Sequence, residues 1–90
     1  MNRRILKFTI PVAITFETED EPRFLAVGWQ GEDLVAWAEA TVGVGVRTTL
    51  AVAMTGDNVP SDAEYVGTAQ HPTMFDGSPF VAHVYARRQP

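Results

Sequence analysis

Two apolar runs, Phe24 to Gln30 and Leu34 to Ala40, are separated only by Gly31-Glu32-Asp33, and this pair constrains the fold more than any other stretch of the chain. The insert has the composition of a tight hairpin turn. With Gly31 and Glu32 as the turn, Trp29 pairs with Leu34 and Val27 with Ala36. One face of the ribbon then carries Leu25, Val27, Trp29, Leu34, Ala36 and Ala38. The other carries Phe24, Ala26, Gly28, Val35 and Trp37, with Glu39 its only charge. A ribbon apolar on both sides requires cover on both, from the rest of the chain or from another subunit. A three-residue loop would shift the pairing by one and regroup the tryptophans without removing that two-sided character. The competing reading of 32–41 is a helix, since Leu34, Ala36, Ala38 and Ala40 include good helix formers and Asp33 can cap its start. The strand is preferred.

Short alternating runs continue on either side. Leu6, Phe8 and Ile10 oppose Lys7 and Thr9, and Pro11 closes that run. Ile14, Phe16 and Thr18 alternate with Thr15 and Glu17 up to the acidic stretch Glu17 to Glu21, which reads as a solvated loop. After the flexible connection Val42 to Val46, a long strand extends to Met54 and is broken by Thr55-Gly56-Asp57-Asn58-Val59-Pro60. Tyr65 to Ala69 is a shorter strand. Asp76-Gly77 marks the turn into the last strand, from Phe80, and the tail from Arg87 reads as frayed. A period of two in short runs, punctuated by Gly and Pro, predicts an all-β, mainly antiparallel fold. The expectation is a small sandwich or roll of six to seven strands, with room for one short helix, as one domain over 1–90.

Ninety residues bury a modest core, and the chain has no cysteine to staple it. Stabilisation must come from packing or association, so a homo-oligomer is expected. The net charge of −4 disfavours nucleic acid and anionic membranes. Lys7 interrupts the apolar start of the chain, no small-residue cleavage site follows, and no apolar run reaches membrane-spanning length. A soluble, cytoplasmic protein is expected.

The residues capable of chemistry are few. His83 lies within an apolar strand beside Tyr85, where a hydrogen-bonded wall residue is the bland reading and an acid or base the sharp one. His71 sits in a predicted loop and reads as solvated. A metal site would need His71, His83, Asp57 and Asp76 to converge, but no short-range ligand spacing brings any two together, and no metal or other cofactor is expected. Ser61 or Ser78 with His83 makes a nucleophile only on paper, because G-x-S-x-G is absent. Gly43-Val44-Gly45 lacks the rest of a phosphate-binding fingerprint and reads as a linker. Thr55, Gly56 and Asp57 form a turn whose N–H groups could face an anion, against the plainer reading of a change in chain direction. Arg3, Arg4 and Lys7 at one end of the chain and Arg87 and Arg88 at the other are five of its seven cations, and adjacent terminal strands would gather them into a patch. Trp29 and Trp37 suit either an interface anchor or the core.

Several blocks together carry a family resemblance: Lys7-Phe8-x-Ile10-Pro11, Val27-x-x-Gln30 with Trp37-Ala38, Thr55-Gly56-x-x-Val59-Pro60, Tyr65-Val66-Gly67-Thr68, and Gly77-x-x-Phe80-Val81-x-His83-Val84-Tyr85. In this order the chain resembles an uncharacterised domain family of tailed phages and prophages over nearly its whole length. The family's middle block reads T-G-H-P-[IV]-P, whereas this chain has Asp57-Asn58 in place of His-Pro, so no role of that first histidine transfers. His83 and Tyr85 match its closing strand. The resemblance implies origin rather than chemistry: an accessory protein made in the infected host and acting by binding. The expected partner is a host protein or a small anionic, nucleotide-like ligand, met by His83, Tyr85, Thr55, Gly56, Asp57, Trp37, Arg4 and Arg87. The alternatives are a minor virion component and a small enzyme using His83. Without a catalytic constellation, the balance goes against an enzyme.

Overall fold

The computed structural model describes residues 3–71 and 80–89. Seven strands, β1 (Arg4–Thr9), β2 (Ala13–Thr18), β3 (Arg23–Gln30), β4 (Asp33–Ala40), β5 (Val46–Met54), β6 (Glu64–His71) and β7 (Phe80–Gln89), are joined without any helix among the described residues. They form a three-stranded sheet in the order β1-β4-β3 and a four-stranded sheet in the order β2-β5-β7-β6, with every pairing antiparallel. The all-β expectation holds, and the strand reading of 32–41 prevails over the helix. The expected turn at Asp76-Gly77, and Ser78 with it, lies outside the described residues.

The hairpin register is the one expected, Trp29 opposite Leu34 and Val27 opposite Ala36. Its two-residue turn has positive φ only at Gly31 (61°), which is the first-position requirement of a type II′ turn. One detail differs. A bulge between Phe24 and Ala26 inserts an extra residue, so Phe24 joins the core face and Leu25 is left 47% exposed. The two faces are also sheltered differently from the expectation. The second sheet covers the Val27, Trp29, Leu34 and Ala36 face. On the other, the Trp37 indole passes over Gly28, whose missing Cβ leaves 3.6 Å to Cζ3, and Val35 between Thr9 and Gly28 is only 1% exposed. The ribbon shelters Val35 on that side by itself, while Ile5 on the same face stays 68% exposed.

The chain changes sheet at Ile10 to Val12. Ile10 N–H donates to Leu34 O in the first sheet (2.8 Å), and the Val12 carbonyl accepts from Val52 N–H in the second (3.0 Å). Pro11 stands between them, with no N–H to leave unpaired. Phe8 and Phe16 stack across this seam at 3.9 Å between centroids. At the opposite seam β3 and β6 approach so closely that a Cβ on Gly67 would lie 3.0 Å from Val27 Cγ2. Between the seams the core joins Ile10, Leu34, Ala36, Leu50, Ala69, Ala82, Val84 and Ala86, flanked by larger side chains such as Phe24, Trp29 and Phe80.

Thr48, fully buried on β5, keeps its Oγ1 without a hydrogen-bond partner among the described residues. A buried hydroxyl left unpaired costs about 1–3 kcal/mol. Thr48→Val should therefore raise stability by about 1 kcal/mol, read as a higher urea midpoint at unchanged slope. A lower midpoint would contradict this account of the site.

Two other sequence expectations are corrected. The tail is not frayed through Gln89, because Arg87, Arg88 and Gln89 pair with Thr49, Thr48 and Arg47. Arg88 also reaches Glu64 and the Pro22 carbonyl (3.2 Å) and lies 6.0 Å above the Phe24 ring, tying the lower ends of both sheets. Nor is the acidic stretch merely solvated. Asp20 Oδ1 accepts from Thr41 N–H (2.9 Å), Oδ2 accepts from the Thr41 hydroxyl (3.3 Å), and Arg3 pairs with the same carboxylate. Gly45, at φ 141°, lets the 42–46 connection pass Glu19 O, which a Cβ there would meet at 3.3 Å.

The Thr41 N–H holds the Asp20 carboxyl below its ordinary value of 3.8; partial burial pushes the other way, and the Arg3 charge adds to the lowering. A depressed folded pKa stabilises fully above the unfolded value and loses that contribution as pH falls through the folded one. Wild type should therefore lose thermal midpoint on acidification below roughly pH 4 more steeply than Asp20→Asn does. Parallel pH profiles of the two midpoints would refute the assignment.

Candidate functional site

β5 and β6 run in the same direction with β7 between them, so the 55–63 connection must travel the length of the sheet. It leaves β5 through a turn in which Asp57 N–H donates to Met54 O (2.9 Å) and Gly56 takes φ 97°, the position a type II turn reserves for glycine. Asp57 Oδ2 accepts from Met54 N–H at 2.8 Å. Of the three N–H groups in the anion-binding reading of Thr55, Gly56 and Asp57, that of Asp57 is spent inside the turn. The turn also changes the direction of the chain, as the plainer reading has it.

His83 lies on the outward side of β7, between the buried Ala82 and Val84. Thr55 Oγ1 is 3.1 Å from its Nε2 and Thr68 Oγ1 is 2.9 Å from its Nδ1. Thr68 continues to the Tyr65 hydroxyl (2.6 Å), and Tyr65 meets Tyr85 edge to face at 5.6 Å. A hydroxyl both donates and accepts, so either neutral tautomer of His83 is satisfied at both nitrogens. Further along β7, Arg87 donates to Asp62 Oδ2 at 3.0 Å. The two contacts, Thr55 to His83 and Asp62 to Arg87, fasten the connection to the strand it crosses. His83 is thus a hydrogen-bonded wall residue that holds a loop. Among the described residues both hydrogen-bond partners of its ring are hydroxyls, whereas the group that orients a catalytic imidazole and stabilises its cation is a carboxylate.

Of the residues singled out in the sequence, His83, Tyr85, Thr55, Gly56, Asp57 and Arg87 are brought to this one sheet. Trp37 and Arg4 are on the other, Trp37 facing outward beside Gly28 and Arg4 opposite Ala40 at the start of β1. The expected cationic patch is corrected: β1 and β7 belong to different sheets, and most of its cations meet partners of their own. Arg3 meets Asp20 and Glu39, Arg47 meets Glu17, Arg87 meets Asp62, Arg88 meets Glu64, and Lys7 donates to Gln30 Oε1 at 3.0 Å. His71 is not a solvated loop residue either. It ends β6 opposite Phe80, donates from Nε2 to Gly31 O (3.1 Å) and stands edge-on to Trp29 at 5.2 Å. Among the described residues no three of His, Asp and Glu converge as metal ligands, and Asp76 lies outside them.

The feature that sequence reading missed is a cleft of about 530 Å³ at the end of the sandwich where the hairpin turn and the 54–57 turn sit side by side. Its floor and walls are Ile10, Trp29 and Leu34 from the first sheet and Val52, Phe80 and Ala82 from the second. Glu32, Asp33 and Asp57 stand among its lining residues with no Lys or Arg among those described. Trp29, in the wall, keeps its indole Nε1 buried without a hydrogen-bond partner among the described residues. Each acidic turn is visible in the sequence. That they share one end of the molecule follows only from strand direction, since β3 and β5 both run toward it.

No curated protein and no solved structure matches the chain. One family model does, a domain of unknown function (DUF7352), and it covers residues 1–90. With its whole length matched, the chain belongs to the DUF7352 family of domains of unknown function.

Proposed function

We propose that this protein is a non-catalytic binding module, an accessory protein of phage or prophage type working in the host cytoplasm, and that it receives part of a partner protein in the end cleft. One observation carries the reading: an open cleft walled by apolar side chains of both sheets and bordered by carboxylates. Pockets of roughly 300–1,000 Å³ with apolar walls and a few polar groups are the common form of a binding site. The anionic-ligand alternative has less support, because Arg3, Arg87 and Arg88 are engaged by acidic partners and the cleft's own charges are negative. His83, between two threonine hydroxyls, supports a structural role better than an acid or base.

Glu32 and Asp33 are exposed, so reversing both charges should alter stability by no more than about 0.5 kcal/mol each. Glu32→Lys with Asp33→Lys should lower recovery of a stoichiometric partner at least tenfold, by quantitative mass spectrometry of tagged protein from infected cells, with the thermal midpoint held. Equal recovery of the same partner by the folded variant would remove the cleft from the reading.

A further inference from the structure

We infer that the cleft's occupant is a basic peptide segment in which an aromatic or aliphatic residue is flanked on both sides by lysine or arginine; this rests on the cleft being the binding site proposed above. The walls specify the apolar part. Ile10, Leu34, Val52, Phe80 and Ala82 present hydrocarbon from both sheets, and burial of an apolar side chain there gains about 25 cal/mol for each Å² removed from water. The carboxylates specify the flanks. Glu32 and Asp33 belong to the β3–β4 turn of the first sheet, whereas Asp57 belongs to the turn that leaves β5 in the second. Negative charge therefore stands on both sheets around one apolar floor, and a cation on each side of an apolar group answers it.

A single metal ion does not meet this arrangement, because the three carboxylates are not gathered within reach of one ion. Asp57 spends Oδ2 on Met54 N–H and keeps Oδ1 for a second donor. The peptide carbonyls of an extended segment are of the kind of acceptor that Trp29 Nε1 lacks. The net charge of −4 reinforces the local field and speeds the encounter with a cationic segment.

The test uses the Trp37→Phe protein, in which Trp29 is the only tryptophan and reports on the cleft wall. Four acetylated, amidated tripeptides are titrated against its fluorescence: Lys-Phe-Lys, Ser-Phe-Ser, Glu-Phe-Glu and Lys-Ser-Lys. A free amine, phenylethylammonium, is titrated alongside them. Lys-Phe-Lys should give a saturable change with at least tenfold higher affinity than Ser-Phe-Ser, and Glu-Phe-Glu and Lys-Ser-Lys should give none. The affinity should fall at least fivefold when salt is raised from roughly 0.05 to 0.5 M, as screening requires. It should fall at least tenfold in Glu32→Gln with Asp33→Gln.

A preference for Ser-Phe-Ser or Glu-Phe-Glu would overturn the basic segment and leave the cleft as a binding site. Equal affinity for phenylethylammonium would overturn the peptide in favour of a small amine. If no probe moves Trp29, the inference falls; if the charge-reversed protein also retains its partner, the cleft reading falls with it.

Discussion

Leu50→Ala should cost about 3–4 kcal/mol and leave the protein close to its unfolding threshold at room temperature. Leu50 is fully buried in the middle of β5, opposite Ile14 on one side and Ala86 on the other. Among the described residues it is the largest fully buried side chain, and its core neighbours include Ala36, Ala82 and Ala86. Short neighbours have no atoms to move into the space, and the sheets on which they sit resist collapse. The cavity therefore persists, which places the cost in the upper part of the range for such truncations. A chain of this size has a small stability to lose, and each kcal/mol shifts its midpoint by roughly 4–8 °C. Urea unfolding of both proteins at unchanged slope measures the difference, and a loss below about 1.5 kcal/mol would show that the core closes around the gap.

The second large effect is expected from Gly67→Val, at about 2 kcal/mol or more. A bulge between Tyr65 and Gly67 turns Gly67 toward the first sheet opposite Val84, where a Cβ would stand 3.0 Å from Val27 Cγ2 and 3.3 Å from Val27 Cβ. Valine is branched at Cβ and has little rotamer freedom with which to withdraw. The added methyls must push β3 away from β6 and open the seam between the sheets. The compensating change is on the other strand: Val27→Gly alone leaves a gap, and combined with Gly67→Val it returns the lost volume. The double variant should be more stable than the two single losses predict by at least 1 kcal/mol, a coupling expected only of side chains in contact. Additive losses would mean that the seam is looser than these distances state.

These two sites separate what a chain of this kind discloses from what it withholds. Leu50 was legible as one of the alternating residues from Val46 to Met54, and the hairpin register followed from Gly31 and Glu32. Phe24 and Leu25 were misplaced by one position because a bulge leaves no clear mark in local sequence. The bulge at Tyr65 likewise gave no warning that Gly67 faces Val27. His83 was recognised as a wall residue from its neighbours, but its hydroxyl partners, Thr55 and Thr68, are 28 and 15 residues away. The cleft was illegible for the same reason. Its apolar members read as ordinary core, and its carboxylates read as ordinary turns.

Residue order alone determined the strands, the Gly31 turn and the all-β class, because alternation and turn chemistry act between neighbours a few positions apart. Only the folded chain decided which strands share a sheet, that β1 and β7 part company, and that two acidic turns border one apolar opening. Those outcomes depend on strand direction and on contacts between residues distant in sequence, where the free energy of packing, rather than local backbone preference, selects the arrangement.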